Sequence, residues 1–224
     1  MAAYTTIDDP GLFYNTVLYT GTGSELAVTG VGFQPDMTWL RYRNAVKNHY
    51  LFDSVRGATK NLAPNDTDVE GTDANTLSAF GSDGFTVGTS GAVNTSSGLN
   101  VSWNWKAGTT SVPSGGSITP TGVSLNTTSG FSIIAYGGAS ATSTIAHGLG
   151  VTPKFIMVKC LSSAYNWQVG STAMDSTWNY VIYLNKVNAQ ANDIIYGDTA
   201  PDATYFTLGN SSEGNTTGQT YVAY

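Results

Sequence analysis

The second half of this chain restates its first half, and that constrains the fold more than any other feature. Gly32-Phe-Gln-Pro-Asp-Met-Thr-Trp-Leu40 matches Gly150-Val-Thr-Pro-Lys-Phe-Ile-Met-Val158, with Pro35 and Pro153 118 positions apart. Val17-Leu-Tyr-Thr-Gly21 parallels Ile134-Ala-Tyr-Gly-Gly138 at an offset of 117. Phe85-Thr-Val-Gly88 parallels Phe206-Thr-Leu-Gly209, and Val101-Ser-Trp103 parallels Val222-Ala-Tyr224, both at 121. Four blocks in the same order, at offsets drifting by only a few residues, define an internal repeat.

Both copies read as strands. Leu99-Asn-Val-Ser-Trp-Asn-Trp105 alternates strictly, setting Leu99, Val101, Trp103 and Trp105 on one face and Asn100, Ser102 and Asn104 on the other. The apolar face is expected to point at a core. Tyr14–Tyr19, Glu25–Thr29, Met37–Tyr42 and Tyr50–Phe52 are further strands of the first copy. Phe131–Tyr136, Lys154–Cys160, Tyr180–Leu184, Ile194–Tyr196, Tyr205–Leu208 and Tyr221–Tyr224 are their counterparts in the second. Helical periodicity is nearly absent, with room for one short turn in Ser54–Asn61. The expectation is an all-β chain of two tandem antiparallel β-sandwich, jelly-roll-like units. Its parts are an N-terminal arm (1–10), a first repeat (11–107), a linker (108–128) and a second repeat (129–224). Ala107–Gly116, small and polar with Pro and Gly, marks the break.

Composition narrows the function. Charged residues are only 11% of 224 and the net charge is −6, so no basic face is available for nucleic acid or an anionic membrane. Arg41, Arg43 and Lys47 are the densest cationic group. No apolar run approaches the ~20 residues that span a bilayer. The segment MAAYTTIDDP has acids and no apolar stretch, so synthesis in a cytoplasm without a secretory signal is expected. The single cysteine, Cys160, lies in an apolar run and reads as a small buried hydrophobe.

Candidate chemistry is thin. Asp66, Asp68, Glu70 and Asp73 resemble the first half of a calcium loop, with Gly71 at the turn. The twelfth position falls on Leu77, so this is no EF-hand, and a solvated acidic loop is the plainer account. His49 and His147 do not align between copies, and no nucleophile elbow accompanies them. The three glutamates, Glu25, Glu70 and Glu213, form no evident acid pair for glycoside cleavage. No catalytic residue and no cofactor is expected. Trp39, Trp103, Trp105, Trp167 and Trp178 are read mostly as core, with an exposed aromatic platform for sugar as the alternative. Six Asn-x-Ser/Thr triplets (Asn65, Asn94, Asn100, Asn126, Asn210, Asn215) are read as coincidences of an Asn/Ser/Thr-rich composition.

Several blocks together resemble a known family. They are Tyr19-Thr-Gly-Thr-Gly23, Thr29-Gly-Val-Gly-Phe-Gln-Pro-Asp-Met-Thr-Trp39, Leu51-Phe-Asp-Ser-Val-Arg-Gly57, Phe80-Gly-Ser-Asp-Gly-Phe-Thr-Val-Gly88 and Val101-Ser-Trp-Asn-Trp-Lys-Ala-Gly108. His147-Gly-Leu-Gly-Val-Thr-Pro153 is their second-copy signature. The pattern is similar to an uncharacterised domain of tailed-phage structural proteins, often present in tandem. The resemblance implies a virion-surface protein, either a capsid decoration (cement) protein or a tail or head fibre. It implies capsid or tail proteins as partners, a homo-oligomer (a trimer at a three-fold axis is one solution) and, for a fibre, a host-surface glycan. The residues expected to hold a partner are those of the short arm: Met1, Ala2, Ala3, Tyr4, Thr5, Thr6, Ile7, Asp8, Asp9 and Pro10.

Overall fold

The computed structural model describes residues 7–224. The chain is all-β, with several antiparallel sheets and none closed. The strands are β1 (Tyr14–Thr20), β2 (Leu26–Thr29), β3 (Met37–Tyr42), β4 (Tyr50–Asp53), β5 (Lys60–Asn61), β6 (Gly71–Thr72), β7 (Leu77–Gly81), β8 (Gly84–Val87) and β9 (Leu99–Trp105). They continue as β10 (Gly122–Asn126), β11 (Phe131–Gly137), β12 (Ser143–Ala146), β13 (Phe155–Cys160), β14 (Gln168–Ser171), β15 (Tyr180–Tyr183), β16 (Ala191–Asn192), β17 (Tyr205–Leu208) and β18 (Thr220–Ala223).

Two compact units emerge. Unit 1 holds the chain up to Ala63 and then Gly71–Gly108; unit 2 holds Pro64–Glu70 and Thr109–Tyr224. Unit 1 carries a four-stranded sheet in the order β1-β9-β3-β4 and a three-stranded sheet, β2-β8-β7. Its buried cluster draws Leu40 and Phe52 from the first sheet and Val28, Leu77, Phe85 and Val87 from the second. In unit 2 the seven-stranded sheet runs β10-β11-β18-β13-β14-β15-β16, beside the pair β12-β17. Its core joins Ile134, Tyr136, Val158 and Tyr221 to Ile145, Phe206 and Leu208.

Strand registers match between the units. Ser102 of β9 sits opposite both Val17 and Leu40, and Ala223 of β18 sits opposite both Ile134 and Val158. These positions are related by the offsets read from the sequence. Two side-chain clamps also recur. Asn94, fully buried, donates from Nδ2 to the carbonyls of Ser24 and Gly88 while its Oδ1 accepts from Thr22 N. Asn215, also fully buried, donates to the carbonyls of Ala141 and Gly209 and accepts from Ala139 N. Likewise the Tyr19 hydroxyl donates to Val93 O at 2.7 Å, and the Tyr136 hydroxyl to Gly214 O at 2.9 Å. Backbone crowds each clamp. A Cβ on Gly21 would lie 2.2 Å from Thr95 O, and one on Gly138 would lie 2.2 Å from Thr216 O, so only glycine fits.

One local expectation needs correction. Ile194–Tyr196 is a 3-10 turn rather than a strand, because Asp193 caps Ile195 N at 3.1 Å and Gly197, at φ 59°, ends it in the left-handed region. The stretch 54–59 is turn and leads into β5: Asp53 accepts from Val55 N and Arg56 N and pairs with Arg56 Nε at 2.6 Å. The one α-helical turn among the described residues is Gly91–Asn94, capped by Ser90. The stretch 108–128 divides after Gly108. From Thr109 onward it belongs to unit 2, where Ile118 and Val123 enter the core and β10 pairs with β11.

Candidate functional site

The site follows from which face of β9 turns inward, and it is the face sequence alternation did not favour. Asn100, Ser102 and Asn104 are all buried, on the same side as Val17, Tyr19 and Leu40 across the ladder. They can lie there because their polar atoms are paired. Asn104 Nδ2 donates to Ser102 Oγ at 3.0 Å and to Asn15 O at 3.2 Å, and its Oδ1 accepts from Thr38 Oγ1 at 3.0 Å. Ser102 Oγ donates to Val17 O at 3.3 Å, and Asn100 Nδ2 to Gly98 O at 3.0 Å. Burying amides this way removes the usual penalty for desolvating them.

The consequence is an outward face carrying large rings. Tyr14 and Trp105 are direct cross-strand partners, as are Thr16 and Trp103, and Trp103 and Trp39. Tyr14 is 40% exposed and Leu18 59%, while Trp39, Trp103 and Trp105 are half-buried. Trp39 and Trp103 meet edge to face, with centroids 6.3 Å apart and planes at 83°. Tyr14 and Trp105 are tilted at 58° with centroids at 5.1 Å. With His49 these rings line an open concavity of about 340 Å³. That is inside the range of small-ligand sites, which combine aromatic walls with a few polar groups.

The polar groups lie at two edges. Tyr14 and Thr16 share a hydroxyl–hydroxyl hydrogen bond of 3.2 Å on β1. Across the concavity, Trp39 Nε1 donates to His49 Nδ1 at 2.9 Å, and Arg41 Nη1 approaches His49 Nε2. Burial, then the neighbouring Arg41 guanidinium, hold the His49 pKa below its ordinary value of 6.5. The neutral imidazole has one acceptor nitrogen, so it accepts from Trp39 or from Arg41 but not from both. A protonated ring would accept from neither and would face the guanidinium. The concavity therefore has an orienting edge and no proton-transfer pair: no carboxylate lines it.

A model of the Domain of unknown function (DUF7483) family matches residues 9–224. The chain belongs to that family. The match spans both units. No curated protein and no solved structure matches the chain.

The remaining candidates lie elsewhere in this family member. Asp66, Asp68 and Glu70 travel with unit 2, whereas Asp73 belongs to unit 1. Among the described residues no three His, Cys, Asp or Glu side chains gather to hold a metal. The acidic stretch has a different neighbour. Lys159 is fully buried on β13, donating to Thr67 O at 3.2 Å and to Cys160 O at 2.7 Å. Burial pushes its pKa down to about 8, against the pull of Cys160, Asp68, Glu213 and Asp66. Glu213 is held by amides, accepting from Asn166 Nδ2 at 3.2 Å and from Gln168 Nε2. His147 accepts from Leu149 N at Nδ1 and so donates from Nε2 to Asp202 O at 3.1 Å, a loop-pinning arrangement. Of the arm, Met1–Thr6 lie outside the described residues. Asp8, Asp9 and Pro10 are exposed, and Asp9 caps the turn Pro10–Leu12 through Gly11 N at 2.9 Å.

Two signals were underread in the sequence. Trp39, Trp103 and Trp105 are not core residues; only Trp167 and Trp178 are fully buried. Asn94 and Asn215 fall at one offset, 121, as the registered blocks do. That coincidence could have separated them from the other Asn-x-Ser/Thr triplets.

Proposed function

We propose that this chain is a non-enzymatic surface protein of a phage virion, working by contact rather than turnover, and foremost a capsid decoration or cement protein. The observation that carries the contact role is the outward aromatic face of unit 1: a sheet that buries its amides and carries exposed Tyr14 and three half-buried tryptophans on its outer side has kept a surface for something to cover. The virion setting rests on the resemblance of the repeated blocks to phage structural domains. The finer fold reading belongs here too. Two tandem sandwich units, jelly-roll-like and related by duplication, would account for the shared registers and the paired Asn clamps. Many copies on a symmetric shell would turn modest contacts into firm attachment by avidity, and a homo-oligomer such as a trimer suits that lattice.

The test is direct. Peptide mass fingerprinting of purified particles should detect the chain, and cryo-electron microscopy should place it on their outside; absence from particles removes the virion reading. Removing residues 1–8, short of the Asp9 cap, should release the protein from particles without altering its melting curve. Full occupancy by the truncated form would sink the anchoring role of the arm. A second reading, a fibre or adhesin that grips a host-surface glycan, is favoured by one specific observation: the aromatic concavity has polar groups at its edges.

A further inference from the structure

We infer that the concavity of unit 1 binds a pyranose ring whose hydroxyls are equatorial, as in glucose- or N-acetylglucosamine-configured glycans. This rests on taking the aromatic face as a contact surface, and it adds the chemistry of the ligand. Indole and phenol faces carry the negative end of a quadrupole, so they attract C–H bonds polarised by neighbouring oxygens. Trp39 and Trp103, at 83°, make two walls of different orientation, and Trp105 with Tyr14 makes a third. A pyranose with equatorial hydroxyls presents a flat C–H face to one wall and its oxygens sideways. An axial hydroxyl would block one of the two C–H faces and leave only the other for stacking.

The edges decide against other occupants. Exposed Thr16 lies directly opposite Trp103, with the Tyr14 hydroxyl 3.2 Å from its Oγ1, and Arg41 stands at the His49 side. An acyl chain or an apolar protein patch would dry these groups without replacing their hydrogen bonds, at a cost of about 1–3 kcal/mol for each group left unpaired. A sugar offers C–H bonds to the rings and hydroxyls to the edges. A concavity lined by five residues is also small against the roughly 800 Å² per partner of a stable protein interface. Because no carboxylate lines it, the bound sugar is held and not cleaved.

Tryptophan fluorescence of the full-length protein reads this site selectively, since Trp167 and Trp178 are buried away from ligand. Titration with cellohexaose and with chitohexaose should give a saturable change with a Kd on the order of 1 mM for at least one of them. Trp103→Ala should weaken it about tenfold and Thr16→Val a few-fold, with Leu18→Ser, on the same face beyond the concavity, unchanged. Thr16→Val keeps the test open should Trp103→Ala not fold. No saturable change with either sugar overturns the inference, and so does equal binding by both site variants. Particle incorporation is scored separately. A chain found on virions that binds neither sugar fails here alone, and one that binds sugar but is missing from virions fails the virion reading alone.

Discussion

The same sheet position is used in opposite ways by the two units. In unit 1, the side of the β1-β9-β3 sheet turned away from the core is left open and carries Trp39, Trp103 and Trp105. In unit 2, the corresponding side carries Met157, Lys159, Val169 and Val222, all buried, and Trp167 with them. The inward sides differ in the complementary sense. Ser102, flanked along β9 by Asn100 and Asn104, occupies the position that Ala223, following Tyr221, takes in unit 2. One strand framework thus tolerates bonded amides on the inward side of β9 and apolar or aromatic side chains at the matching places of β18. The two units thus differ in which side of the sheet is left uncovered more than in strand register.

The largest effect that would sharpen this contrast comes from the tryptophans. Trp167→Ala should cost about 3–5 kcal/mol, the usual loss for a large side chain cut out of a core, whereas Trp103→Ala should cost roughly 1–2 kcal/mol because less apolar area is lost. Denaturant unfolding of the two variants would break the comparison if their losses were equal. Next come the clamps. Asn94→Ala and Asn215→Ala each remove three hydrogen bonds and strand buried backbone groups, so each should destabilise its own unit by about 2–3 kcal/mol. Hydrogen exchange resolved by unit would show it, and strongly unequal losses would argue against equivalent repeats.

The smallest effect is in pH. Both His49 and His147 are held below 6.5, principally by burial. The unfolded chain then binds more protons than the folded one just below that pH, so stability present above 6.5 should fall as pH drops toward the lower folded values. His49→Gln should flatten that dependence in unit 1 only, and His147→Gln in unit 2 only, as followed by melting temperature between pH 7 and pH 5.

Much of the architecture was legible in the sequence, and the failures have physical causes. Met37–Tyr42 and Tyr205–Leu208 read as strands to the residue, since alternation and β-branched or aromatic content agree there. Alternation also separated the two faces of β9 correctly. It could not say which face turns inward, because that depends on whether Thr38, Asn15 and Val17 arrive to satisfy Asn104 and Ser102. A hydropathy pattern contains no such partner information. The concavity was missed for the same reason: its rings come from three strands, and only their register makes them neighbours. The acidic stretch 65–73 looked like one loop, yet its ends belong to different units.

That last feature separates chain order from folding. Pro64–Glu70 lies inside the first copy by sequence, but Lys159 donates to Thr67 O and Glu70 N to Leu161 O within unit 2. A knife placed after Gly108 would therefore not yield two self-sufficient halves. The carboxy-terminal fragment would keep a buried ammonium and lose the carbonyl that receives it, while the amino-terminal fragment would carry seven residues shaped for a bed it no longer has. The break that the sequence suggests and the break along which the chain packs are therefore different places.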